Sequence, residues 1–314
     1  MSSATLTNKD IQVNKKGFIK TFAKWKYLYM MLIPGLLFIL IFRYGPMFGL
    51  FIAFQDFRPA RGVTGSDWVG FDNFRFLFGS QAFLQAFRNT VIISFYRILF
   101  GFPIPILLAL LINEIGNRMY RRTVQTILFM PHFFSWAVMF GLVFALVQEF
   151  GPINNIIRLL GGDPVIFLAS TRHFRGLLIV SDVWKDAGWN AVIFLAALAG
   201  VPQDLYEAAQ VDGAGRVQCI FRISLPSIMP TICIMLLLRI GQILNTGFEQ
   251  VLTMYNIAVF SVGDIIDTYV FRVGLLESRF GVAAAAGMFR SVIALGMVMT
   301  LNAIMKKVGQ ESLY

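Results

Sequence analysis

Three charged side chains stand within one apolar stretch of this chain, residues 177–198. Asp182, Lys185 and Asp186 recur at a spacing that places them near one another on an α-helix, and this spacing allows Asp182 and Lys185 to form an ion pair. Charges inside a membrane are costly and normally face a helix bundle or a water-filled path. Two interpretations stay open: these groups line a path for a polar solute, or they form a structural salt bridge to neighbouring helices.

The same stretch carries side chains that suit a sugar. The indoles of Trp184 and Trp189 offer apolar faces for stacking, and the amide of Asn190 can hydrogen-bond hydroxyl groups. The candidates for a solute path in this stretch are therefore Asp182, Trp184, Lys185, Trp189 and Asn190.

Four arginines also fall within or at the ends of apolar stretches: Arg43, Arg97, Arg239 and Arg290. Cations in a low-dielectric environment favour an anionic solute such as a uronate-containing oligosaccharide. They equally suit pairing with Asp182, Asp186, helix C-termini or lipid phosphates. Arg239 joins the solute-path candidates on this basis.

Residues 207–226 form a polar, glycine-punctuated stretch between two apolar ones. It reads Glu-Ala-Ala, three residues, Gly, nine residues, Ile, one residue and Leu-Pro. Pro202 favours a helix start, with 205–211 continuing it, and Gly213 suits a left-handed cap at its end. A second short helix is expected over 216–223. Small residues on the first helix would admit another protein surface, although a helix lying on lipid headgroups is the alternative.

The composition indicates a membrane protein. The 314 residues are 57% apolar and only 14% charged, against about 25% charged in soluble domains. Helices are the expected form of each span, because unpaired backbone groups are too costly in hydrocarbon. The predicted fold is therefore all-α, with six spans of about 20 residues: 27–51, 89–112, 124–147, 177–198, 228–246 and 281–305.

The distribution of Lys and Arg orients these spans. The segments that share a side with the N-terminus are richer in basic residues than the alternate loops, which places both termini and the stretch 207–226 in the cytoplasm. No cleavable signal is predicted, because mostly polar residues precede the first apolar run.

Several function classes are disfavoured. No Gly-Lys dipeptide occurs, so a Walker A loop is missing from the sequence, and the net charge of +10 is explained by membrane topology without nucleic acid. Two cysteines and two histidines give no metal-ligand spacing. His132 is expected to be structural, and no nucleophilic or acid–base constellation is apparent.

These motifs together resemble the MalFG-like permeases of carbohydrate ABC importers, and most closely the branch for oligosaccharides and polysaccharide fragments, such as the alginate importer permeases. The spacing in 207–226 is that of the loop by which such permeases dock onto their ATPase. The resemblance covers the chain after its first 20 residues, which show no such likeness. It rests on these segments: WVGFDNFRFLF, NTVIIS, FMPHFFSW, SDVWKDAGWNAVIFLAALAGVPQDLYEAAQVDGA, GFEQVLTMYN and IIDTYVFRVGL.

The resemblance implies roles for individual residues. It assigns ATPase coupling to Glu207, Ala208, Ala209, Asp212, Gly213, Ala214, Leu225 and Pro226. It also adds three polar residues near the outer end of the fifth span to the solute path: Gln242, Asn245 and Glu249.

The resemblance further implies a non-catalytic subunit of the bacterial inner membrane. Its expected partners are a second permease chain in a heterodimer, two ATPase subunits that bind ATP and Mg²⁺, and an extracytoplasmic solute-binding protein. The expected organisation is a tail at 1–26, a permease domain at 27–306 with a coupling loop at 201–226, and a tail at 307–314. A small sugar or glycerol phosphate as cargo, or an ion-coupled secondary transporter, remains the alternative.

Overall fold

The computed structural model describes residues 24–242, 244 and 247–307, which are mostly helical. The chain divides into two units, residues 1–51 and 52–314. Nearly all of the predicted 1–26 tail and the predicted tail after 307 lie outside the described residues.

The first unit contains α1 (Lys26–Ile39), which continues through a π-helical turn and into a 3-10 segment. The whole segment, Lys26–Phe54, is one candidate membrane span. Its apolar side chains are exposed around the helix, as expected for a surface solvated by lipid. It contains the predicted first span.

The second unit begins with a small two-stranded sheet and two short helices. Strands β1 (Gln55–Asp56) and β2 (Asp67–Trp68) pair antiparallel, with Gln55 opposite Trp68. Between them lies the short helix α2 (Gly62–Gly65), and α3 (Asp72–Gly79) follows. The amide of Asn73 donates to the carbonyls of Ala53 and Gln55, which fixes α3 against β1.

The second span is longer than predicted. Helices α4 (Gln81–Gly101) and α5 (Pro103–Asn113) together form a candidate span of 33 residues, Gln81–Asn113. It begins eight residues before the predicted 89 because the Ser80 hydroxyl caps the helix, accepting from the Phe83 amide at 3.4 Å.

The predicted third span, 124–147, is wrong as a continuous helix. Helix α6 (Arg118–Phe129) ends in a 3-10 turn, Met130–Phe133, and α7 (Trp136–Val147) starts afresh with Ser135 as its cap. Pro131 and the extended backbone at Phe134 break the helix. The stretch long and apolar enough to cross a membrane is Trp136–Leu159, which includes α8 (Pro152–Leu159).

Two sharp bends enclose the polar stretch that follows. Helix α9 (Phe174–Ala199) meets α10 (Gln203–Val211) at 71°. After Gly213, α11 (Arg216–Cys219) continues through a π turn into α12 (Leu225–Ser227), and this segment meets α13 (Met229–Gly241) at 60°. Helix α13 ends five residues before the predicted 246.

The remaining elements connect α13 to the last span. They are α14 (Phe248–Met254), a 3-10 turn (Ile257–Val259), α15 (Phe260–Gly263), α16 (Ile266–Phe271) with a following π turn, and α17 (Phe280–Lys307). Within the described residues, four helices are long and apolar enough to span a membrane, or up to six if each bent pair is one span.

Helix α9 is the central element of the second unit, since it packs against α4, α5 and α6. Where α9 meets α6, the Gly188 backbone, which carries no side chain, lies directly against the Leu128 backbone. A Cβ on Gly188 would lie 2.1 Å from the carbonyl oxygen of Leu128, so only glycine allows this approach.

We expect Gly188→Ala to destabilise the protein by about 1–3 kcal/mol or more, because a rigid backbone carbonyl has to move. The measurement is the thermal unfolding midpoint of the purified protein. Gly141→Ala in α7 is the matched control, since a Cβ there meets nothing within 4 Å. Equal midpoints for the two variants would contradict the close approach of α6 and α9.

Candidate functional site

A buried ion cluster joins three long helices of the second unit. Asp182 of α9 is 7% exposed. One of its carboxylate oxygens lies 3.6 Å from Arg97 Nη2 of α4, and the other lies 3.8 Å from Arg239 Nη2 of α13. Of the partners that the sequence left open for Asp182, the carboxylate contacts two arginines distant in sequence, and its ion pairs are with them and not with Lys185.

A glutamine that sequence reasoning missed completes this cluster. The carbonyl of Gln250, in α14, accepts from Arg97 Nη2. Its amide donates to the Leu178 carbonyl at 2.8 Å and to the Ser181 hydroxyl at 2.9 Å. Gln250 is fully buried, so it ties α14 to α4 and α9 through satisfied polar contacts.

The backbone next to Gln250 makes room for Arg97. Gly247 has φ +68°, and a Cβ on it would lie 2.7 Å from Arg97 Nη1. Both the left-handed conformation and the close approach require glycine. The sequence signal was an isolated Gly before a helix, which by itself does not identify an arginine as the neighbour.

The charges of the cluster do not balance. Two guanidinium groups face one carboxylate, and both separations exceed the usual length of an N–H···O hydrogen bond. Among the described residues, Arg97 Nε is buried without a hydrogen-bond partner. The Asp182 cluster (Arg97, Asp182, Arg239 and Gln250) therefore carries a net positive charge.

The other charges of α9 meet the turn after α6. Lys185 Nζ donates to the His132 carbonyl at 2.6 Å, and His132 Nδ1 lies 2.8 Å from Asp186 Oδ1. The His132 ring stacks parallel on Trp189, with centroids 4.6 Å apart. His132 is thus held by structural contacts, in agreement with the expectation from the sequence.

The solute-path candidates do not all come together. Asn190, Arg239 and Gln242 line one cavity of about 250 Å³, here named the Arg239 cavity. Trp184 and Trp189 are exposed and do not line this cavity. Glu249 is exposed in the first turn of α14, and Asn245 lies outside the described residues.

The predicted coupling residues lie on the bent segment. Glu207, Ala208, Asp212 and Gly213 are exposed, while Ala209, Ala214 and Leu225 are half-buried and Pro226 is exposed. Gly213 has φ +81°, as its predicted cap role requires. The Ala214 amide donates to the Ala209 carbonyl at 2.8 Å, which closes the turn.

A hydroxyl pair joins the two arms of this turn. Tyr206 of α10 and Ser224 of the π turn lie 2.9 Å apart, oxygen to oxygen. This contact fixes α10 against the segment that leads into α13, and Glu207 on α10 is exposed. Within the described residues, no group of three or more His, Cys, Asp or Glu could hold a metal ion.

We expect Asp182→Asn to destabilise the protein by about 3–5 kcal/mol, because it leaves two guanidinium groups facing each other without a counter-charge. The check is the unfolding midpoint of the purified protein, with Asp186→Asn as the more exposed control. Adding Arg239→Gln restores the original net charge of the cluster, so the double variant should be more stable than Asp182→Asn alone. A wild-type midpoint for Asp182→Asn would contradict this role.

Comparison with known proteins identifies relatives over nearly the whole length. Residues 101–306 match the family described as binding-protein-dependent transport system inner membrane component. Protein LplB of Bacillus subtilis (strain 168) is 44% identical, over 92% of this chain and 91% of its own. The polygalacturonan/rhamnogalacturonan transport system permease protein YteP of the same organism is 40% identical, over 96% of this chain and 94% of its own.

A solved structure matches as well. A chain in the crystal structure of a bacterial alginate ABC transporter in complex with alginate pentasaccharide-bound periplasmic protein is 41% identical and superposes with a TM-score of 0.86, covering 94% of this chain and 99% of that chain. The resemblance to carbohydrate ABC importer permeases is confirmed. The chain belongs to the family of binding-protein-dependent transport system inner membrane components.

Proposed function

We propose that this chain is the permease subunit of an ATP-driven importer for oligosaccharides, handed over by an extracytoplasmic binding protein. It is a multi-pass protein of the bacterial inner membrane and a permease of a carbohydrate ABC importer. The observation that carries the ATP-driven mechanism is the exposed helix α10. It lies between bends of 71° and 60° at the ends of two long helices. The relatives that match over most of their length support it.

The transport cycle follows from this geometry. ATP closes the pair of ATPase subunits, and α10, seated on one of them, moves with that closure. Because Tyr206 links α10 to the segment before α13, the movement passes to α9 and α13 together. The Arg239 cavity then opens alternately to each side of the membrane. The chain itself performs no catalysis, since ATP and Mg²⁺ belong to the ATPase. A sister permease chain supplies the other half of the path.

The topology we propose has six spans, counting each bent helix pair as one, with both termini cytoplasmic. We keep as a proposal the tail at 1–26, the permease domain at 27–306 with its coupling loop at 201–226, and the tail at 307–314. This arrangement places α10 on the cytoplasmic face, where an ATPase can reach it.

Among the solute-path candidates, Asn190, Arg239 and Gln242 are the residues we assign to the cargo. They share the Arg239 cavity, and Arg239 is held by Asp182 at 3.8 Å, which leaves its donors open to a ligand. Asp182 and Lys185 act as structural partners, because their contacts lie within the protein. Trp184, Trp189 and Glu249 remain candidates that do not line this cavity, and Asn245 remains a candidate outside the described residues.

We further propose that the cargo is acidic. The net positive charge of the Asp182 cluster favours a carboxylate over a neutral sugar, and a guanidinium binds carboxylates through paired hydrogen bonds. A phosphate would satisfy the same donors, so glycerol phosphate is the competing cargo. An ion-coupled secondary transporter is disfavoured, because the acids of α9 are engaged by Arg97, Arg239 and His132.

We expect Glu207→Lys and Gly213→Ala to insert normally but to lose most ATP-driven uptake. The first variant reverses a charge on the docking face, and the second places a side chain on a left-handed backbone, at a cost of about 1–2 kcal/mol. Gly215→Ala is the matched control, because its φ is −75° and a Cβ there also meets nothing within 4 Å. The measurement is uptake by proteoliposomes of the full importer. Wild-type uptake by both variants would overturn the coupling role.

We expect Arg239→Gln to reduce uptake of a galacturonate pentamer about tenfold, which corresponds to about 1.4 kcal/mol. Uptake of the fully methyl-esterified pentamer, which has the same backbone without charge, should change much less. Both rates are measured with the binding protein saturated. An equal loss for the two sugars would contradict recognition of the carboxylate, and faster uptake of glycerol phosphate would favour the competing cargo.

A further inference from the structure

A second cavity lies between two candidate membrane spans, beside the first half of α9. It has a volume of about 640 Å³ and is named here the Arg172 cavity. One wall belongs to α4 and α5, and the other belongs to α9 and the residues just before it. The apolar and aromatic side chains of these walls are Tyr96, Phe100, Ile104, Ile179, Val180 and Val183.

One end of this cavity is cationic. Arg172 precedes α9, and Arg175 stands in its first turn. Arg175 is oriented by its bonds to Asn89 Oδ1 at 2.7 Å and to the Val262 carbonyl at 3.2 Å. Arg88, exposed on α4, adds a third positive charge that acts on Arg175. Among the described residues, no Asp or Glu forms an ion pair with any of these three arginines.

The opposite end is apolar and lies deep along the spans. The bond of Arg175 to Asn89 marks one level on both helices. From that level, Ile104 is fifteen residues further along α4 and α5, and Val183 is eight residues further along α9. At 1.5 Å per helical residue these separations are roughly 22 Å and 12 Å. The cavity is therefore a long groove with positive charge at one end and apolar walls over the rest of its length.

The groove also opens onto an exposed apolar surface. Phe100 is 48% exposed and Val180 is 67% exposed, and their neighbours Phe95 and Leu99 on α4 are exposed as well. A continuous apolar surface of this kind marks a contact with a membrane or with another protein. The proposed topology places the cationic end at the outer surface of the membrane, at the level of lipid headgroups.

The two parts of the groove match the two parts of a phospholipid. Guanidinium groups bind phosphate through charge-assisted hydrogen bonds, and an acyl chain occupies an apolar groove without any polar partner. A zwitterionic headgroup carries an amine cation that the three arginines repel, so a headgroup with net negative charge is favoured. A sugar chain needs hydrogen-bonding groups along its whole length, whereas the described side chains that line the groove below Arg175 include a single hydroxyl, that of Tyr96.

We propose that the Arg172 cavity binds one phospholipid with an anionic headgroup from the outer leaflet. Its phosphate lies at Arg172 and Arg175, and one acyl chain lies along Tyr96, Phe100 and Val183. The lipid then joins α4 and α5 to α9 on the outer side of the membrane. This site is separate from the import function proposed above, because it takes the same lipid whichever cargo is carried.

Photo-crosslinking of a lipid probe tests the site. The full importer is placed in phosphatidylcholine nanodiscs with a trace of either phosphatidylglycerol or phosphatidylcholine that carries a diazirine at the end of one acyl chain. Peptide mass spectrometry then locates the cross-links. At Ile104 and Val183 we expect the phosphatidylglycerol probe to label about fivefold more, the ratio that corresponds to about 1 kcal/mol for one basic residue near an anionic lipid. At Leu142 of α7, which is exposed outside the cavity, the two probes should label equally.

Two substitutions test the two parts of the groove. Arg172→Gln should lower the preference for phosphatidylglycerol about fivefold by the same relation, with Arg118→Gln, an exposed arginine of α6 outside the cavity, as its control. Gly176→Leu should remove most labelling by either probe, because Gly176 lines the groove and a Cβ there meets nothing within 4 Å. Gly141→Leu in α7, where a Cβ also meets nothing within 4 Å, is the matched control.

Three outcomes would overturn the proposal. Equal labelling of Ile104 and Val183 by the two probes would exclude selection of an anionic headgroup. An unchanged preference in Arg172→Gln would exclude the contact with Arg172. Absence of labelling at both positions in the wild-type importer would mean that another protein segment, such as the sister permease, covers the groove in place of lipid.

Discussion

One buried carboxylate holds the second unit together. Asp182 faces guanidinium groups from α4 and α13, and Gln250 extends the contact to α14. Burying charges is unfavourable unless each is answered by a partner. Because two arginines face one carboxylate, the contact is attractive overall and still leaves one positive charge without a counter-charge in the cluster. The same interaction thus joins the helices and, in the function proposed above, favours an anionic cargo.

Glycines set the distances between these helices. Gly247 lets the Arg97 guanidinium reach Gln250, and Gly188 lets α9 touch the backbone of α6. Gly101 leaves space between Val183 and Arg239. At Gly247 and Gly188 a neighbouring group occupies the space that a Cβ would need, whereas at Gly101 that space is open. The same missing Cβ therefore permits a close contact at two positions and leaves room for one methyl group at the third.

Much of the architecture could be predicted from the sequence, because apolar length, the Gly213 cap and the Glu-Ala-Ala spacing act locally. The left-handed φ of Gly213 is confirmed. The sequence left pairing of Asp182 with an arginine open but could not select Arg97 and Arg239 among the four candidates. Helical spacing indicates only neighbours on the same helix, and both arginines come from other helices.

Two further errors have the same physical origin. The helix break between Pro131 and Ser135 was missed because the residues around it are apolar, and hydropathy does not report where a capping side chain starts a new helix. Trp184 and Asn190 seemed equivalent on composition, yet they point to different surroundings, and that depends on how α9 is rotated against α4 and α5. Rotation is set by packing, which a single sequence does not display.

The contact of Gly188 with Leu128 has a mechanical consequence. Two backbones that touch without side chains between them have no room to slide or roll, so α6 and α9 form one stiff block. The interruption at Phe134 and Ser135 separates that block from α7. We therefore expect relative motion of these helices to concentrate at that joint, so that α6 and α9 shift together.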